Sequence, residues 1–214
     1  MPGRRPVRIE PPHLTKEIIH HKADQFRNEN VDPTDLLPIP IEPIIEIKIG
    51  LQIIPISGLY DRDIDAFLSK DLRSIYVDYG MYMNPRKENR LRFTYAHEVG
   101  HFVLHQTEIR QCNYRTADGW MHFYDDFRKE DLDWFEWQAR EFAGRLLVPK
   151  AALESGIRDM MPQVEEYWQR GGSNSERIMD IVARAVCNRF RVSPQVISRR
   201  IDSEGLSRML RRPR

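Results

Sequence analysis

The sequence predicts an α+β protein, and three observations carry that prediction. A helical pattern with apolar residues along one side runs from residue 13 to about residue 30. Short β-rich segments follow between residues 51 and 78, and the remainder of the chain has mainly helical patterns. An order of one helix, a few strands and then helices only, without an internal repeat, is typical of α+β proteins.

Three strands are expected, at 51–56 (LQIIPI), 65–69 and 74–78 (SIYVD), with a short helix at 44–50 before them and a turn at 70–73. Pro55 lacks a backbone donor, which places the first strand at a sheet edge or makes this residue its end. The pattern then predicts a central helix that begins near Lys87 and continues past His105, and a second helix over 131–148 that stops before Pro149.

The predicted organisation is one folded domain with two short appendages. Residues 1–12 are rich in proline and arginine and are expected to be disordered. Residues 13–205 form the domain, with a helical subregion at about 155–205, and residues 206–214 form a basic tail. Because six arginines and two acids lie from Arg199 onward, that end is either a frayed, solvated segment or a patch for an acidic partner.

Composition limits the classes of function. The 214 residues are 41% hydrophobic and 30% charged with a net charge of +1, which is typical of a globular protein without a general affinity for nucleic acid. No apolar run approaches the ~20 residues of a membrane helix, and the N-terminus lacks the apolar segment of a secretory signal. Two cysteines, Cys112 and Cys187, do not suggest a disulfide framework. We therefore expect a cytoplasmic location and no membrane partner.

The central helix carries His97-Glu98-Val99-Gly100-His101, which predicts a zinc site. Histidines four apart lie on one helical face, about 6 Å apart along the axis, and can share one Zn²⁺ at ~2.0–2.1 Å from each nitrogen. Glu98 projects to the neighbouring sector, where it can reach a metal-bound water without ligating the metal, the arrangement of an HExxH metallopeptidase. Gly100 inside the helix costs ~1 kcal/mol relative to alanine, which suggests a close approach there.

A catalytic zinc site needs a third protein ligand. His105 lies about 12 Å along the axis from His97, too far to share the ion, and is interpreted as a histidine of the core or one that contacts a metal ligand from behind; Glu108 is excluded in the same way. The second helix is the best supplier, because Glu136 shares a face with the small residues Ala139 and Ala143. Asp133 and Glu141 are alternatives.

Two segments together resemble the ImmA/IrrE family of zinc metallopeptidases. RFTYAHEVGHFVLH (92–105) is similar to the family's R-F-T-x-A-H-E-x-G-H-x-x-L-H helix, and EWQAREFAGRLLVP (136–149) to its E-x-x-A-N-x-F-A-x-x-L-L-x-P helix. The similarity extends from the N-terminal helix through the strands to VCNRFRVSPQVISRRIDSEGL (186–206). Arg140 departs from the family, which usually has asparagine there, so a cation replaces a group that would orient a ligand.

The resemblance implies a fold with a small sheet beside the HExxH helix, a second ligand-bearing helix and a helical C-terminal region. It also implies that His97, His101 and Glu136 ligate zinc and that Glu98 is the catalytic glutamate. His122 and Tyr124 are candidates to stabilise the transition state. Family members make limited cuts in helix-turn-helix repressors, which implies a protein substrate of that kind.

Two alternatives remain open at this point. Residues 178–201 could form a helix-turn-helix that reads DNA through Gln195, Ser198, Arg199 and Arg200, with zinc in a structural role. The chain could also be an inactive peptidase-like module that binds a repressor without cutting it. Direct nucleic-acid binding is the less favoured interpretation, because a net charge of +1 gives little non-specific affinity.

Overall fold

The structure, a computed structural model, describes residues 10–32, 37–111 and 128–211. Its strands are β1 (Gln52–Ile56), β2 (Ala66–Leu68) and β3 (Ser74–Asp78). The helices are α1 (Lys16–Asn30), α2 (Ile41–Pro43), α3 (Tyr79–Tyr82), α4 (Glu88–Leu104), α5 (Gln106–Gln111), α6 (Lys129–Leu147), α7 (Lys150–Asp159), α8 (Met161–Gln169), α9 (Ser175–Phe190) and α10 (Pro194–Ser203). A π-helical turn, Ile44–Lys48, extends α2, and 3-10 turns occupy Tyr60–Arg62, Pro85–Lys87 and Leu206–Leu210. The predicted α+β class is confirmed.

The three strands form one sheet in the order β1-β3-β2. β3 lies in the middle, parallel to β1, with Gln52 opposite Ser74, and antiparallel to β2, with Phe67 opposite Tyr76. Pro55 therefore lies in an edge strand, as its missing donor requires. The other edge strand, β2, packs against α4, so the sheet lies beside the HExxH helix.

Helices α4 and α6 form the closest helix pair around the site. The predicted core stripe of α6 is confirmed, because Phe135, Ala139, Phe142 and Leu146 are all buried. Gly100 of α4 lies against the backbone of α6: a Cβ atom there would stand 3.0 Å from the carbonyl oxygen of Ala139. The close approach expected from this glycine is therefore an approach of α6 itself.

The prediction that α4 continues past His105 is wrong. The helix ends at Leu104, and His105 leaves helical geometry with φ −130° before α5 begins at Gln106. The amide of His105 still donates to the carbonyl of His101, while its ring is fully buried and lies 4.1 Å, centroid to centroid, from the ring of Phe135. The bend turns this imidazole into the interface with α6.

Helix α1 begins after Thr15, whose side chain caps the amide of Ile18. Its buried face consists of Ile19, Ala23 and Phe26, and Phe26 meets Phe142 of α6 edge-on at 5.9 Å. The neighbouring Ile18 is 43% exposed, so the buried stripe follows positions 19, 23 and 26.

A partly buried ion network, made of Asp24, Glu141, Arg145, Arg200 and Glu204, connects α1, α6 and α10. Arg145 bridges Asp24 and Glu204, with 2.5 Å between nitrogen and oxygen on each side. Arg200 is 2% exposed and pairs with both Glu141 and Glu204. Since removal of one partner would leave the other charges uncompensated, the network favours this placement of α10 on α6.

Both ends of the described chain pack against the core. Leu206 and Leu210 are buried, and the indole nitrogen of Trp168 donates to the carbonyl of Leu210. Pro11 is buried at the other end. The packed chain therefore extends beyond residue 205, and it begins before residue 13. None of the helices in the described ranges combines the length and the apolar character that crossing a membrane requires.

Candidate metal centre

Helix α4 places His97 and His101 one turn apart on the face that meets α6. Their Nε2 atoms lie 3.1 Å from each other. The His101 side chain is 7% exposed and the His97 side chain 15% exposed. The i, i+4 spacing therefore brings the two imidazole nitrogens together as the sequence predicted.

Glu136 of α6 completes a cluster of three donors. Its Oε2 lies 3.2 Å from Nε2 of His97, and its Oε1 lies 3.6 Å from Nε2 of His101. The ligand atoms of the three residues all lie within 4.8 Å of one another. Ligands placed tetrahedrally ~2.0–2.1 Å from one ion are about 3.3–3.4 Å apart, so this donor set fits a divalent metal.

The charges at Glu136 and His101 also suit a metal. Burial would raise the pKa of Glu136, but the two imidazoles outweigh burial and hold that pKa far below its usual range. Burial lowers the pKa of His101 further than Glu136 raises it. The site therefore offers an ionised carboxylate and, at His101, a neutral imidazole, which are the protonation states that bind metal.

Of the other acids considered as third ligands, neither joins the cluster. Asp133 is exposed on α6. Glu141 belongs to the ion network, where its Oε1 accepts hydrogen bonds from His20, Arg200 and Ser203. Among the residues that the structure describes, Glu136 is thus the acid placed to complete the set.

A chain of hydrogen bonds runs from His101 to the N-terminal segment. Nδ1 of His101 lies 3.0 Å from Nδ1 of His105, and Nε2 of His105 lies 3.2 Å from Oε1 of Gln138. The Gln138 amide nitrogen donates to the carbonyl of Pro12 at 2.8 Å. His105 and Gln138 are fully buried. The interpretation of His105 as a group behind the ligands agrees with this position.

The direction of these bonds determines the tautomer of His101. Because the Gln138 amide nitrogen faces the Pro12 carbonyl, its oxygen must accept the Nε2–H of His105. Burial lowers the pKa of His105 well below its usual value, so the ring is neutral and its Nδ1 is an acceptor. His101 therefore donates from Nδ1 and keeps a lone pair on Nε2, toward Glu136 and His97.

Sequence reasoning missed Gln138 and Pro12. Gln138 lies within the buried stripe of α6, three residues after Phe135. A polar amide among core positions is a signal that could have been followed, since buried amides need partners. Pro12 gave no such signal, because its role depends on where a distant segment folds back.

Glu98 lies beside the cluster and is 5% exposed. Burial raises the pKa of its carboxyl to about 7, although nearby His97 acts in the opposite direction. The backbone amide of Leu68 in β2 donates a hydrogen bond to this carboxylate. Glu98 is thus held between the three donor residues and the edge of the sheet.

Arg140 contacts the cluster from the solvent side. Its Nη2 lies 3.3 Å from Oε2 of Glu136, and its side chain is 52% exposed. The cation that stands in place of the family's asparagine therefore touches the carboxylate of a candidate ligand. His122 and Tyr124, the two candidates for stabilising the transition state, lie outside the described residues.

A helix that carries H-E-x-x-H, packed on a second helix that adds a glutamate, defines a site of the metallopeptidase type. The family profile described as the IrrE N-terminal-like domain, Peptidase_M78, matches residues 61–202, and the chain belongs to this family. The matched segment contains all three donors, His97, His101 and Glu136, but not α1 or β1, so it is shorter than the resemblance suggested. A comparison with curated proteins found no match.

Proposed function

We propose that this protein is a zinc-dependent endopeptidase that makes limited cuts in a protein substrate. The observation that carries the proposal is the convergence of His97, His101 and Glu136 beside the buried carboxylate of Glu98. Two imidazoles and one carboxylate leave a position for water on a four-coordinate ion, which distinguishes a catalytic zinc site from a closed structural one.

In this proposal Glu98 moves the proton. Zn²⁺ bound at the cluster would polarise the scissile carbonyl and lower the pKa of a water. Glu98 accepts a proton from the attacking water and delivers it to the leaving amine. A pKa near 7 suits a group that must both take and return a proton at neutral pH. The Leu68 amide holds the carboxylate in position for both steps.

The outer edge of β2 supports Glu98 rather than standing open. Hydrogen bonds from the Asp78 amide to the Asp65 carbonyl and from the Ser69 amide to the Ser74 carbonyl alternate along β2, so the backbone groups of Ala66 and Leu68 face away from β3. Both residues are buried, and that side of β2 faces Glu98.

We infer that the substrate is a helix-turn-helix transcriptional repressor. Family membership supports this inference, because the ImmA/IrrE proteins that the chain resembles cleave such repressors. Cleavage would then relieve repression through one cut rather than through general digestion.

The decisive experiment combines metal analysis with cleavage of the transcriptional regulator encoded beside this gene. The purified protein should contain about one zinc per chain, and Glu98→Gln should retain zinc and lose cleavage. Glu108→Gln is the matched control, because Glu108 is a partly buried acid outside the metal cluster. Absence of stoichiometric metal, or normal cleavage by Glu98→Gln, would overturn the proposal.

One observation favours a second candidate, a module that binds a repressor without cutting it. The Arg140 guanidinium competes with a metal for the Glu136 carboxylate. Tight repressor binding without cleavage by the zinc-loaded wild-type protein would select this candidate.

Use of α10 for DNA recognition has less support. Arg200, one of its four proposed base-reading residues, is buried in the ion network and cannot reach a groove. Salt-dependent retardation of DNA by the purified protein would restore that alternative.

A further inference from the structure

A cavity of about 370 Å³ opens between α4, α6 and α10. Phe93, Trp137 and Val196 form its apolar walls. Gly144 and Arg200 also line it; a Cβ atom on Gly144 would stand 2.8 Å from Cδ of Arg200. Its volume lies at the lower end of the ~300–1,000 Å³ typical of ligand pockets.

The cavity adjoins the metal centre. Phe93 precedes His97 by one turn on α4, so both lie on the same face of that helix. Arg140 lines the cavity and at the same time contacts Glu136 at 3.3 Å. When a peptide substrate lies across the metal site, one of its side chains can therefore reach this cavity.

The charge at the cavity comes from two exposed arginines. Arg200 is compensated by Glu141 and Glu204, and Glu141, which also lines the cavity, already accepts three hydrogen bonds at its Oε1. Arg199 is exposed and has no acidic partner in the described part of the chain, and Arg140 is half-exposed and pairs with Glu136 through Nη2. Arg140 and Arg199 are thus the cations that face this cavity, whose walls are apolar and whose other charged residues, Arg200 and Glu141, are paired with each other.

We propose that this cavity is a specificity subsite that binds a carboxylate of the peptide substrate, through Arg140 and Arg199, with the attached carbon chain against Phe93 and Trp137. Guanidinium groups recognise carboxylates through paired hydrogen bonds, and the apolar walls suit the methylenes between carboxylate and backbone. The proposal rests on the proposed peptidase function, since it names one feature of its substrate. The carboxylate can come from an internal Asp or Glu or from a chain terminus.

The test uses the full-length, zinc-loaded protein and a synthetic library of random dodecapeptides, half with free and half with amidated C-termini. Wild-type protein is profiled for cleavage sites. Immobilised Glu98→Gln protein is used separately to select peptides by binding. Arg199→Ser, placed in both backgrounds, removes one cation of the cavity. Arg208→Ser is the matched control, because Arg208 is an exposed arginine outside the cavity lining.

We expect Asp or Glu to exceed Asn or Gln by roughly tenfold at one position relative to the cut and in the retained peptides. This preference should be lost in Arg199→Ser and kept in Arg208→Ser. Dependence on a free C-terminus would assign the carboxylate to the chain end, and an internal preference would assign it to a side chain; both support the proposal.

The two proposals fail separately. Acidic peptides retained through Arg199, without cleavage, would support the subsite and contradict the peptidase. Cleavage without an acidic preference, or with the same preference in Arg199→Ser, would overturn the subsite and leave the peptidase intact. If the wild-type protein retards DNA and Arg199→Ser does not, while the peptide profile is unchanged, the subsite is overturned in favour of phosphate binding.

Discussion

Replacement of Gly100 by alanine should force α4 and α6 apart. Alanine normally stabilises a helix by ~1 kcal/mol relative to glycine. The new Cβ, however, would lie 3.0 Å from the carbonyl oxygen and 3.1 Å from the Cα of Ala139, and 3.3 Å from a ring carbon of Phe142. Because backbone atoms cannot rotate away, one helix must shift by a few tenths of an ångström. Overpacking of this kind costs ~1–3 kcal/mol, so the net free energy of unfolding should fall by about 0–2 kcal/mol.

The same shift should weaken metal binding, since His97 and His101 lie on α4 and Glu136 lies on α6. Displacement of supporting groups around metal ligands typically costs 10–100-fold in affinity, and we expect roughly a tenfold loss of zinc affinity for Gly100→Ala. Urea unfolding of the metal-free protein measures the stability change, and competition with a chromophoric chelator measures the zinc dissociation constant.

Gly156→Ala is the control for this experiment. A Cβ atom at Gly156 in α7 would stand 3.0 Å from a methyl group of Val186, away from the metal centre. It should change stability and leave zinc affinity unaltered. If Gly100→Ala proves more stable than the wild type and binds zinc equally well, the inferred contact between the two helices is incorrect.

Three further predictions concern Gln138, Arg140 and Glu141 of α6. Gln138→Leu should lower zinc affinity by about 10–100-fold, because His105 then loses the acceptor that determines its tautomer; imidazole ¹⁵N shifts of His101 should change, and unchanged shifts would contradict the relay. Arg140→Asn should raise zinc affinity, because it removes a cation 3.3 Å from Glu136; equal affinities in a chelator competition would argue against this effect. Burial would raise the pKa of Glu141, but hydrogen bonds from His20 and Ser203 and the charge of Arg200 lower it to about 2 from 4.5. A carboxyl with a depressed folded-state pKa stabilises the protein above pH 4.5, and up to about 3 kcal/mol is lost as the pH falls toward 2. The stability difference between wild type and Glu141→Gln, measured in urea, should therefore shrink below pH 4.5, and a constant difference would exclude this assignment.

Local patterns predicted the elements that build the site. Periodicity located α4, α6 and the three strands, and the i, i+4 spacing of His97 and His101 implied their convergence. The small residues beside Glu136 favoured it as the third ligand, but only the resemblance selected it over Asp133 and Glu141, because spacing within one helix does not specify which neighbouring helix packs against it. The end of α4 at Leu104 was missed because the conformation of His105 depends on Gln138, a tertiary partner.

Long-range contacts account for the remaining differences. The sequence alone predicts that Arg200 is an exposed side chain that contacts bases, since arginine is rarely buried without a partner. One partner, Glu204, is an i, i+4 neighbour, but the other, Glu141, lies on α6, and only the fold brings it to Arg200. Pro12 likewise gains its role because the chain folds back over α6.

The ion network and the Phe26–Phe142 contact connect the segment that the family profile matches to residues on both sides of it. Asp24 and Phe26 precede residue 61, and Glu204 follows residue 202. A fragment trimmed to 61–202 would keep His97, His101 and Glu136, yet it would leave Arg145 without either acidic partner and expose one side of Phe142. The segment that the family profile matches is thus smaller than the segment that packs together, and we expect a fragment with those boundaries to expose apolar surface and to aggregate.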